Sequence, residues 1–213
     1  MKSHSCEALV LRTYPFSEAN RVVVALTRGE GLVRGAAYGA RKSGNRFGSS
    51  LEPLTHVRMS YTTRQNQDLA VIRNCEIIRA FAAQQTDWEV SLHLGYFSEL
   101  LIEFSREQNE SEKLFRLALA VLTEIPNGPI RLLARYFEFW ILQLEGVLPA
   151  LDRRLDAQLA AKTTAMLRQP PAEIRQTRME GDEMKLLERL AEELIEYHLE
   201  KSLKSRKIIR QFL

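Results

Sequence analysis

The hydrophobic period of the chain changes once. Through residues 1–80 apolar side chains tend to alternate with polar ones, and from about residue 86 they recur every three or four positions. A period of two fits a strand with one buried face, and a period of 3.6 fits a helix. The chain must therefore be an α+β protein, with a strand-built module over residues 1–80 and a helical one over 81–213. Five segments read as strands: Glu7–Thr13, Asn20–Thr27, Leu32–Tyr38, Leu54–Thr62 and Leu69–Ile78. Arg28-Gly29-Glu30-Gly31 supplies a tight turn between the second and third, and the polar run Thr63–Asp68 a hairpin between the fourth and fifth.

The third and fourth strands are joined by GARKSGNRFGSSLEP, Gly39–Pro53, which is far longer than a hairpin needs. None of its residues up to Ser50 suggests a buried element. Five short strands with one long connection point to a small barrel of the five-stranded oligonucleotide-binding (OB) type, although an SH3-like barrel would show the same period.

Charge is unevenly placed. Residues 1–80 carry twelve Lys/Arg against six Asp/Glu, whereas 81–213 carry eighteen against twenty-one. Ten of the twelve are arginine, whose planar fork suits phosphate. A basic surplus on one small module is the electrostatic footprint of a polyanion partner. Arg12, Arg21, Arg34, Arg64 and Arg73 alternate with apolar strand residues, so several of them are expected on the solvent side of the barrel as DNA contacts. Arg41, Lys42 and Arg46 lie in the long loop beside Phe47. Tyr14, Phe16, Tyr38, Phe47 and Tyr61 lie among these cations, the combination that single-strand binding requires.

The helical part opens at Thr86-Asp87-Trp88-Glu89, a capping-box pattern. The run to Ser105 carries a broad apolar face from Trp88 to Phe104. Further helices are expected at Glu110–Glu124, after Gly128-Pro129, at Leu155–Leu167 and from Asp182 to Ser202. From Leu199 on, the tail holds five basic residues and one acid.

Catalytic signatures are missing. GARKSGNRFG lacks the Lys-Ser or Lys-Thr of a Walker loop, and His4, His56, His93 and His198 form no metal-ligand spacing. The only cysteines, Cys6 and Cys75, read as core thiols. No cofactor and no metal site is expected, and no segment reads as a signal peptide or membrane span, so a cytoplasmic protein is expected. Binding rather than catalysis is the reading. Its rivals are a protein-docking module on a helical scaffold and a metal-dependent nuclease with dispersed carboxylates.

The EALVLRT strand, SEANRVVVALTRGEG, GARKSGNRFGSSLEP and the closing EYHLEKSLKSRK together resemble RecO, the bacterial recombination mediator family. The resemblance implies an OB-fold DNA-binding domain and a helical domain without bond-breaking catalysis, in a cytoplasmic, nucleoid-associated protein. It implies binding to single- and double-stranded DNA, annealing of complementary strands, contact with the acidic tail of single-strand binding protein, association with RecR, and indirect help in loading RecA. Carried onto this chain, Arg41, Lys42 and Arg46 become the leading DNA contacts, with the strand arginines supporting them; Phe47 beside them is a further candidate, either stacking on a base or pinning the loop to the barrel. In the family the tail-binding role belongs to a basic, partly apolar surface of the helical domain, and Lys204, Arg206 and Lys207 in the basic tail are the residues proposed for it in this chain. Many members carry a four-cysteine zinc module after a segment like Leu144–Pro149. Here Ala150-Leu151-Asp152-Arg153-Arg154 follows and no cysteine occurs after Cys75.

Overall fold

A computed structural model describes residues 1–65, 68–81, 87–105 and 112–213. Five strands close a barrel in the order β1-β2-β3-β5-β4: β1 is Lys2–Pro15, β2 Arg21–Thr27, β3 Gly31–Ala37, β4 Thr55–Thr63 and β5 Ala70–Ala80. Strand β1 runs longer than its alternation suggests because it pairs twice. Lys2–Leu9 run antiparallel to β4, and Ala8–Pro15 run antiparallel to β2 across an irregularity between Val10 and Arg12. The last seam is a short parallel pairing of β3 with β5, Gly35 opposite Ala70 and Ala36 opposite Val71. This closed five-stranded order is that of the OB-type barrel, so the SH3-like alternative falls away.

Gly35 makes the parallel seam possible. A Cβ there would lie 2.5 Å from Ile72 Cδ1 and 3.3 Å from the Ala70 carbonyl oxygen, closer than ordinary contact. Inside the barrel, Val10, Val23, Ala25, Val57, Met59 and Ile72 form the core. Cys6 and Cys75 sit opposite Met59 on its two neighbouring strands. Two strand spacings, about 9.6 Å, exceed the ~7 Å limit for a disulfide. Both thiols are free, and burial pushes them up to about 11 and about 12.

The long β3–β4 connection corrects the expectation that it buries nothing. Ala40, Phe47 and Leu51 join the barrel core and are 6%, 3% and 1% exposed. The loop is a plug.

The chain forms two compact units, Met1–Phe115 and Arg116–Leu213. In the first, α1 (Trp88–Phe104) packs on β1, where the Ser98 hydroxyl donates to the Leu11 carbonyl. Asp87 caps it by accepting from the Val90 amide at 3.1 Å, while Thr86 of the expected capping pattern lies outside the described residues. Trp88, expected on the apolar face, is 60% exposed, because it precedes the first buried turn at His93. Helix α2 (Glu112–Glu124) crosses the division, and its expected start at Glu110 lies outside the described residues.

The second unit holds α3 (Ile130–Leu144), α4 (Ala157–Leu167), α5 (Gly181–Leu199) and α6 (Lys204–Phe212). Helix α3 packs against α4 and α5. The expected last helix breaks at Glu200, whose φ of 53° is left-handed, and restarts as α6. No described helix is long and apolar enough to cross a membrane.

Candidate nucleic-acid interface

Alternation along the barrel strands decides which side chains can meet a ligand. Val10, Val23, Ala25 and Ala37 point inward, so their neighbours point out. On the outer side the register sets Arg12, Val24 and Arg34 in one row across β1, β2 and β3, and Tyr14, Val22 and Ala36 in the next. Phe16 follows β1 and Tyr38 follows β3, so both lie at the same end of the barrel. Tyr14, Phe16 and Tyr38 are 43%, 52% and 50% exposed. Asn20 ties this end together: its carbonyl accepts from the Phe16 amide at 3.0 Å, and its Oδ1 accepts from the Gly39 amide at 2.9 Å.

The loop that follows is a chain of turns. Lys42 N donates to the Gly39 carbonyl at 3.0 Å, and Asn45 Oδ1 accepts from the amides of Phe47 and Gly48 at 3.0 and 3.1 Å. Gly39, Gly44 and Gly48 have φ of 76°, 65° and 52°, the left-handed region that favours glycine, and an added Cβ at any of the three meets nothing. Backbone sign rather than close approach requires these glycines.

The loop cations are held in place. Arg41 is tied to the β1–β2 turn twice, by its amide to the Ala19 carbonyl at 3.0 Å and by Nη1 to the Ser17 carbonyl at 2.7 Å. Arg46 Nε donates to the Arg73 carbonyl at 3.0 Å, and its guanidinium carbon lies 4.6 Å from the Phe47 ring centroid. Arg46 thus covers a ring whose own place is the barrel core. Of the two roles the sequence leaves to Phe47, stacking on a base or pinning the loop to the barrel, its burial at 3% exposure fits the second.

The strand arginines divide. Arg12 and Arg34 share the outer face on either side of Val24. Arg73 stands at an irregularity of the β4–β5 ladder, next to Arg46, and Arg64 follows β4 in the connection to β5, whose first residues pair with β3. Arg21 departs from the expectation. Its register partners Pro15 and Ala37 put it on the inward side at the rim, where Nη1 meets Glu52 Oε1 at 3.3 Å. Its charge is matched within the fold. Arg12, Arg41, Lys42, Arg46, Arg64 and Arg73 are exposed, and none pairs with a carboxylate among the described residues.

Tyr61, grouped in the sequence with the surface aromatics, is 2% exposed. Its hydroxyl donates to Glu30, and its ring stacks on His4 with centroids 4.7 Å apart. Burial, reinforced by the Glu30 hydrogen bond, pushes the phenol above its usual range. On Glu30 burial works the other way from the hydrogen bonds of Tyr61 and His4, which prevail and hold the carboxyl below its usual range. The sequence carries no periodic signal for the buried loop ring: Ala40, Phe47 and Leu51 stand among polar residues in a segment without helix or strand.

Of the proposed partner-binding residues, Lys204 and Lys207 are exposed on α6. Arg206 is 3% exposed and donates to Glu188 Oε1 at 2.6 Å, beside the buried Arg135–Glu138 pair. It is corrected to a structural residue, because the inward face of α6 is the one that packs. Among the described residues no three His, Cys, Asp or Glu side chains are gathered as metal ligands.

The family model for the N-terminal part of recombination protein O matches residues 1–81, and that for the C-terminal part matches residues 85–158. The DNA repair protein RecO of Geobacter metallireducens is 30% identical over 166 residues, 78% of this chain and 67% of that protein. The chain belongs to the RecO family. The RecO proteins of Koribacter versatilis and Anaeromyxobacter sp. strain K are 39% and 37% identical over 145 residues, 68% of this chain in each case. The chain spans 59% and 57% of the length of those two RecO relatives. The matches to the RecO family models end at residue 158, before α5 and α6.

Proposed function

We propose that the chain is a non-catalytic, DNA-binding recombination mediator that holds DNA along the basic end of its barrel and anneals complementary strands. The observation that carries this reading is the set of exposed cations without carboxylate partners among the described residues, Arg12, Arg41, Lys42, Arg46, Arg64 and Arg73. Uncompensated cations release counterions from a phosphate backbone when they bind it. Family membership supports the wider role. That role includes contact with both single- and double-stranded DNA, association with RecR, contact with the acidic tail of single-strand binding protein, and indirect help in loading RecA onto coated strands at the nucleoid. Lys204 and Lys207 remain the proposed contacts for the acidic tail.

The test is binding of a single-stranded oligonucleotide across a salt series. The mediator reading expects log K to fall linearly with log salt, and intact DNA after incubation with magnesium or manganese. Salt-independent binding would favour the protein-docking alternative, and cleavage would favour the nuclease.

A further inference from the structure

We infer that Tyr14, Phe16 and Tyr38 form a base-stacking platform that makes this barrel selective for unpaired DNA and leaves the pairing edges of the bound bases free. The inference rests on the DNA-binding reading above and assigns it a second, uncharged component.

Three observations support it. The rings gather at one end of the barrel: Tyr14 stands in the outward row of β1 with Val22 and Ala36, and the residues just after β1 and β3 are joined through Asn20, which accepts from the amides of Phe16 and of Gly39, next to Tyr38. They are 43%, 52% and 50% exposed while Val22 and Ala36 between them are each 2% exposed, so the accessible apolar surface of this face belongs to the rings. None of the three stacks on another ring among the described residues, unlike Tyr61 on His4. Rings left open on a sheet flanked by Arg12, Arg41 and Lys42 match the two needs of a single strand, a π-surface for each base and a cation for each phosphate.

Spacing determines which form of DNA fits. Tyr14 and Phe16 are two residues apart, about 6.6 Å of extended chain, and β1 and β3, which lead into Phe16 and Tyr38, are two strand spacings apart, about 9.6 Å. Both exceed the ~3.4 Å separation of stacked neighbours in a duplex strand. One base per ring requires bases unstacked from each other, which a duplex does not offer. A base held by its π-face still presents its hydrogen-bonding edge, so a strand on this platform can be read by its complement. That is the chemistry an annealing protein needs.

The experiment compares the parent chain with a Tyr14→Ala, Phe16→Ala, Tyr38→Ala variant on three probes of equal length: a single strand, a strand of abasic sites, and a duplex. Because all three rings are exposed, the variant should melt with the parent. A Tyr14→Phe, Tyr38→Phe variant, which keeps every ring, guards against an indirect effect. The expected result is a loss of about tenfold in single-strand affinity for each ring engaged. Binding to the abasic strand and the duplex stays unchanged, the slope of log K on log salt is kept, and the Phe variant binds as the parent does. Single-strand affinity equal to the parent's in the Ala variant, with the salt slope intact, would overturn the platform while leaving the DNA-binding reading standing. Failure of the parent chain to bind any of the three probes would overturn both.

Discussion

Phe47 shows how one side chain changes role with its surroundings. In sequence it is an aromatic between Arg46 and glycine in a basic loop, which fits base stacking. In the fold it is 3% exposed, within the barrel core, with the Arg46 guanidinium 4.6 Å above it. Phe47→Ala should therefore lower the stability of the barrel by about 3–5 kcal/mol, read by urea denaturation, and reduce DNA binding only through loss of fold. A variant of undiminished stability with weakened binding would return Phe47 to the ligand. Arg206 carries the same lesson in the helical unit. Removing it breaks a pair in which Arg206 is buried and Glu188 part-exposed, with Arg135 still 3.6 Å from Glu188. Arg206→Ala should cost about 2–3 kcal/mol, below the full value for a buried pair. Lys204→Ala with Lys207→Ala should leave the melting temperature unchanged and weaken capture of an acidic peptide, which a pull-down would show. Neither the burial of Phe47 nor that of Arg206 is legible locally. An aromatic beside cations and a basic residue in a tail each have two ordinary explanations, and only tertiary packing chooses between them.

At the scale of the elements, the five strands and helices α1 to α5 are legible in type because their apolar periods differ so clearly, whereas α6, set off by the left-handed Glu200, is not. Strand β1 is longer than the sequence suggests because pairing with two partners, β4 and then β2, is a property of barrel closure rather than of Lys2–Pro15. The connection from β3 to β4 hides its burial for a related reason: three apolar residues among many polar ones carry no period, yet the open end of a barrel offers them a core. Gly35 makes the clearest test of closure. Gly35→Ala forces a methyl group against Ile72 at the parallel β3–β5 seam. The expected loss is about 1–3 kcal/mol, the usual range for overpacking, and pairing the substitution with Ile72→Val should restore part of it. No rescue by the smaller partner would place the crowding elsewhere.

For the molecule as a whole, the early part of the chain carries the basic surplus and a five-stranded barrel, and both are visible in the sequence, while the strand order that makes the barrel OB-type rather than SH3-like is seen only in the fold. The division of the cations is not. Arg21 is turned inward to Glu52 at the rim, whereas Arg41 and Arg46 are fixed by carbonyls of Ser17 and Arg73 and remain exposed. Such fixing lowers the ordering cost of meeting a phosphate chain. The most direct measurement is therefore the slope of log K on log salt for single-stranded DNA, taken for the parent chain and for Arg41→Ala with Lys42→Ala and Arg46→Ala. If these three residues neutralise phosphates, the slope should flatten by about 2, roughly 0.7 for each phosphate left without its cation, with the same change for every base sequence. An unchanged slope in the triple variant, with the fold intact, would show that this loop does not hold the DNA.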